Sequence, residues 1–79
     1  MKINEEALKE VFAKNVLFIC NLSEEAIRQI KDYIQGKIPL SSFSDNTNQE
    51  LSNFFLIIQH AYFLNTNNYI PNIFVKLEV

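Results

Sequence analysis

The chain has 79 residues, nine of them acidic and seven basic, with a formal net charge of -2. A length of this order makes one domain with a marginal core, burying only roughly 60–65% of the surface its unfolded form exposes. One cysteine excludes an internal disulfide, Cys20 and His60 together are too few for a four-ligand zinc site, and a single glycine leaves no glycine-rich phosphate loop. Stability must therefore come from dense packing or association, in keeping with 48% hydrophobic residues and seven phenylalanines.

The opening stretch MKINEEALKE has no apolar run after its lysine and is not read as a secretory leader. Asn4 before Glu5 and Glu6 is a helix start, with an Asx cap and two acids in the positively polarised first turn. Ala7, Leu8, Val11, Phe12, Phe18 and Ile19 recur at helical spacing, which predicts a first helix over about 4–20. Asn15 interrupts that stripe, and VLFIC at 16–20 is also a good strand sequence. Either Asn21, with Glu24 three residues on, or Ser23 caps a second helix over about 22–35. Its inner face is Ala26, Ile27, Ile30, Tyr33 and Ile34; Glu24, Arg28 and Asp32 form an (i, i+4) ladder outside. Gly36 stands where a left-handed residue closes a helix, and Pro39 prevents its resumption.

Residues 36–47 form an ordered connection anchored by Ile38, Leu40 and Phe43. Thr47 and Glu50 read as a capping box opening a third helix over about 48–64, which NTNN ends. IFVKLEV at 73–79 alternates as a short strand would. The expected fold is thus an all-α three-helix domain with an ordered interhelical loop and a short extended C-terminal segment. The alternative is α+β, with 16–20 and 73–79 paired in a two-stranded ribbon.

FFLIIQHAYFL at 54–64 is apolar on more than one side. On a helical wheel Leu51, Phe54, Phe55, Ile58, Ala61 and Tyr62 form the core stripe, which Ile57 and Leu64 extend. Leu56 and Phe63 lie nearly opposite it, between polar rows formed by Ser52 with Gln59 and Asn53 with His60. Either Phe43, Ile73 and Val75 cover Leu56 and Phe63, or another chain does. Eleven residues fall short of the ~20 that span a bilayer, and no lysine-rich face marks a membrane-surface helix. With no leader, no span and one unpaired thiol, a cytoplasmic location is expected.

Bond-making chemistry finds little material. Cys20 and His60 are the only conventional nucleophile and base, and no motif surrounds either. Glu5–Glu6 and Glu24–Glu25 are adjacent pairs that point to different faces, unlike two carboxylates sharing a cleft. Basic residues are interleaved with acids, not gathered on one face, so nucleic-acid binding is not expected. No enzyme activity, cofactor or metal is expected; binding another protein is.

DYIQGKIPLSSFSD at 32–45, a helix closing on Gly-Lys-Ile and followed by a Phe-Ser anchor, resembles the interhelical joint of colicin-D-type bacteriocin immunity proteins. The resemblance covers fourteen residues of the 79. It implies a small, helical, acidic, cytoplasmic bacterial inhibitor that blocks a basic toxin or nuclease domain. The candidate partner-binding carboxylates are Glu24, Glu25, Asp32, Asp45 and Glu50. The alternative is a homodimeric structural or regulatory module, with Leu56 and Phe63 at its interface.

Overall fold

The computed structural model describes residues 2–75. Helix α1 spans Glu5–Lys14, α2 is the single turn Val16–Ile19, α3 spans Glu24–Ile34, α4 Asp45–Asn53 and α5 Phe55–Thr66. A 3-10 turn, Leu40–Ser42, lies in the connection before α4. The protein is all-helical, with no strand among the described residues. α1 packs on α3 and on α5, and α4 also packs on α3 and on α5. The four longer helices therefore form a ring in which α3 and α5 sit diagonally across the core.

Several ends follow the expected chemistry. Asn4 accepts a hydrogen bond from the Ala7 amide (3.2 Å) and Ser23 accepts one from the Ala26 amide (3.2 Å). Gly36 adopts φ 78°, the Gly36 amide donates to Tyr33 O (3.0 Å) and the Lys37 amide to Asp32 O (2.8 Å). That pair of bonds is a Schellman closure. Asn67, at φ 60°, closes α5 in the left-handed conformation.

Two expected helices are broken, each for a local reason. α1 stops at Lys14 instead of reaching residue 20, because Asn15 turns its side-chain amide back onto Val11 O (2.6 Å) and leaves helical geometry at φ -104°, ψ 61°. A short polar side chain here outcompetes the helical ladder. Residues 16–19 resume as one helical turn, so the alternative strand at 16–20 does not form. The third expected helix begins earlier, at Asp45, capped by Ser44 and not by Thr47. Ser44 Oγ accepts from the Thr47 amide, and Glu50 turns away to another helix, so no capping box closes. The same helix is divided at Phe54 (φ -107°, ψ 15°), whose amide tightens onto Leu51 O (3.0 Å) while its ring packs on Phe18 at 5.6 Å. No Gly or Pro signals this bend. It lets Leu51 and Ile58 both point into the core.

That core is aromatic at its centre. Phe12 meets Phe18, Tyr33 and Phe43 at ring separations of 6.2 to 6.5 Å, and Tyr33 meets Phe43 edge-on at 5.6 Å. Edge-to-face geometry sets the positive ring edge against the negative face. Leu8, Val11, Ala26, Ile30, Leu51 and Ile58 complete the packing. Beyond α5 the chain folds back without regular structure. Ile70 and Phe74 are buried; Gln59 donates to Ile70 O (3.1 Å) and Asn72 donates to Ser52 Oγ (3.3 Å). Residues 73–75 form a turn and bend where a strand was expected, and 76–79 lie outside the described residues.

Candidate protein-binding surfaces

Two features of the surface are set by this architecture: an edge rich in carboxylates and an apolar outer face.

The edge lies where the N-termini of α3 and α4 meet. Ser23, the cap of α3, donates its amide to Glu50 Oε1 (2.7 Å) and its hydroxyl to Glu50 Oε2 (2.6 Å) on α4. Ser44, the cap of α4, donates its hydroxyl to Glu25 on α3, and its amide donates to Gln29 Oε1 (2.9 Å). Each helix thus supplies a glutamate to the other's capping serine. Two helix N-termini, each with partial positive charge, hold the carboxylates in place. Glu50 also accepts from Asn46 (3.0 Å). Hydroxyls and amides hold Glu25 and Glu50 at the half-buried edge. Glu24 and Asp45 are the first residues of the same two helices and are exposed beside the capping serines.

Glu24 and Asp45 begin the two helices that meet there, Glu24 also lining a groove with Arg28 and Lys31, and Glu25 and Glu50 are brought to one edge. Asp32 is not. It lies two turns along α3 in a shallow groove with Glu24, Arg28, Lys31 and Lys37, where cations outnumber it locally. The structural work of Glu25 and Glu50 was not foreseen, since a serine cap reads only its own helix in sequence.

The apolar face belongs to α5. Leu56 is 78% exposed, Leu64 70% and Ile57 48%. Ile57 and Leu64 therefore do not extend the core stripe as expected; the ring of helices closes over a narrower arc, through Ile58 and Tyr62. Phe63 is half-buried and stacks on Tyr69 at 4.4 Å between ring centres. The cover expected from Phe43, Ile73 and Val75 does not materialise over Leu56. Phe43 is committed to the aromatic centre, and Val75 is itself exposed. Asn53, His60 and Asn67, all exposed and seven residues apart, run between the Leu56–Phe63 and Ile57–Leu64 ridges.

Cys20 is exposed in the turn after α2, and His60 is exposed on α5. Neither makes a hydrogen bond to the other among the described residues. Among those residues no three His, Cys, Asp or Glu side chains could share a metal ion, and no helix is long and apolar enough to cross a membrane. Tyr33 is perturbed: burial first, then its hydrogen bond to Glu5 (2.9 Å) and the negative charges of Glu5 and Glu6, hold its phenol well above the ordinary tyrosine range. That group is inside the core and serves packing. No family model matches the chain, and neither a characterised protein nor a solved structure is significantly similar to it.

Proposed function

We propose that this is a non-enzymatic, protein-binding inhibitor of the immunity type, which sets the α3/α4 carboxylate edge against a basic toxin or nuclease domain. The observation that carries the reading is the clasp: Glu50 is held by the hydroxyl and amide of Ser23 and Glu25 by the hydroxyl of Ser44, on the two helices that Glu24 and Asp45 begin. Carboxylates fixed before binding lose little side-chain entropy on docking, so the favourable charge contact is not offset by ordering. A basic cleft filled by such an edge excludes a polyanionic substrate, and complementary charge accelerates encounter. The likeness of residues 32–45 to the joint of colicin-D-type immunity proteins supports the same class, for that stretch leads directly into Ser44 and Asp45 of the edge.

The test is to screen the genes adjacent to this one for a basic toxin domain, and to follow co-expression of such a domain with titration calorimetry of the pair. Protection should accompany tight binding that weakens at least ~10-fold between about 50 and 500 mM salt, as surface charge is screened. Glu24→Gln with Asp45→Asn should lower the association rate and leave the fold intact. Full protection and unchanged salt dependence in that double variant would refute the role of the edge.

A further inference from the structure

A cleft lies where the chain enters α1 and leaves α5, lined by Lys2, Asn4, Tyr62, Asn65 and Tyr69 among others. Its volume is about 520 Å³, within the range of small-molecule sites, and no carboxylate of the α3/α4 edge lines it. Tyr62 is only 3% exposed. Its phenol oxygen accepts from the Asn4 amide at 3.0 Å, and among the described residues its own proton goes to no acceptor. A phenol both accepts and donates, and a buried donor left unpaired costs stability. An acceptor lying in the cleft can take that proton, because Tyr62 lines it. We propose that this cleft binds a small organic carboxylate, with one carboxylate oxygen on the Tyr62 hydroxyl, the charge beside Lys2, and the body of the molecule along Tyr69.

The lining favours a negative charge. Lys2 is its one charged side chain, whereas the grooves beside Glu10, beside Glu5 and beside Asp32 all carry carboxylates. The two acids that follow Asn4 are engaged elsewhere: Glu5 accepts from Tyr33 Oη at 2.9 Å, and Glu6 lines the neighbouring groove. Free donors also outnumber free acceptors. The Thr66 hydroxyl and the Asn68 side-chain amide are spent on closing α5, at 2.8 and 3.0 Å, while the Asn65 side chain makes no bond among the described residues. An ammonium and a phenolic O–H on one carboxylate form charge-assisted bonds, stronger than those to a neutral acceptor.

Tyr69 argues for an organic molecule. It stacks on Phe63 at 4.4 Å with the rings 17° from parallel, yet stays 60% exposed. The stack fixes the ring as an aromatic wall of the cleft, against which an inorganic anion has nothing to place. The chain's net charge of -2 works against any anion, and the ligand is small, so dissociation is expected on the order of 1 mM.

Amide proton–nitrogen spectra of the labelled chain, titrated near neutral pH and at constant ionic strength with sodium benzoate from about 0.1 to 20 mM, read this directly. Benzoate should shift Lys2, Asn65 and Tyr69 along saturating curves. Benzamide, which has the ring without the charge, and inorganic phosphate, which has the charge without the ring, should each bind at least ~10-fold more weakly. Tyr62→Phe and Lys2→Gln should each weaken benzoate at least ~10-fold. Tyr62→Phe also removes the acceptor of the Asn4 amide, so Lys2→Gln, at an exposed position, keeps the test independent of folding. The absence of saturable shifts up to the highest concentration overturns the proposal. So do benzamide or phosphate binding as well as benzoate, and benzoate binding that Lys2→Gln leaves unchanged.

Discussion

Removing Glu50 tests whether the clasp between α3 and α4 holds the fold. Glu50→Ala takes away both acceptors that Ser23 uses, at 2.7 and 2.6 Å, and the one that Asn46 uses. A hydrogen bond to a charged partner contributes about 1.5–3 kcal/mol. The two Ser23 bonds share one half-buried carboxylate, and water replaces part of what is lost, so their sum overstates the cost; about 2 kcal/mol is the expected loss. A chain of this size has a total stability of roughly 4–12 kcal/mol, which makes that a large fraction. With a urea slope of about 1 kcal/mol/M, the midpoint should fall by about 2 M with the slope unchanged. Glu24→Gln is the control: it removes a negative charge at the α3 N-terminus, where the Glu50 carboxylate also sits, yet Glu24 makes no bond to a capping serine, so its midpoint should move by less than about 0.5 M. If the two variants shift alike, the glutamates act only through the helix dipole and the clasp argument is wrong. Ser23→Ala combined with Glu50→Ala should cost less than the two separately, with a coupling of about 1 kcal/mol.

Two further outcomes follow from the core. Phe12→Ala should cost about 3–5 kcal/mol in urea unfolding, because Phe12 is fully buried and meets Phe18, Tyr33 and Phe43. At a loss near the upper figure the variant should populate unfolded chain at room temperature, which a full native baseline followed by a cooperative thermal transition at the wild-type temperature would contradict. Tyr33 makes the fold sensitive to alkali: its phenol is raised in the folded chain, so its contribution is complete below the unfolded value near pH 10 and is lost as pH rises beyond it. Tyr33→Phe should lower stability at pH 7 through loss of the bond to Glu5, and should flatten the decline in urea midpoint above pH 10. An unaltered decline would show that another group governs it.

How far the sequence could be read depended on whether a feature was local. Asn4, Ser23, Gly36 and Asn67 end helices through bonds to residues at most five positions away, and all were legible as caps or closures. The division at Phe54 was not, since its ring is drawn to Phe18, thirty-six residues earlier. Asn15 gave half a signal: its polarity within an apolar stripe marked an interruption, while the return of helix at 16–19 depends on packing. For the candidate surfaces, the acids were visible as acids. Their gathering at one edge required knowing that two serine caps face each other. The wheel of α5 placed Leu56 correctly outside, and misplaced Ile57 and Leu64 because the width of a core-facing arc depends on how many neighbours stand around it.

The position of α1 between α3 and α5 has a consequence for how the chain matures. The Tyr62 hydroxyl oxygen ties α5 to the opposite end of the sequence, accepting from the Asn4 amide at 3.0 Å across 58 residues. Until residues 55–66 arrive, Leu8 and Val11 have no wall on that side, so early segments can gather only loosely. A fragment stopping at Asn53 would keep most of the helices and still lack the partner against which the first of them settles, which makes the last third of the sequence a condition for order in its first helix.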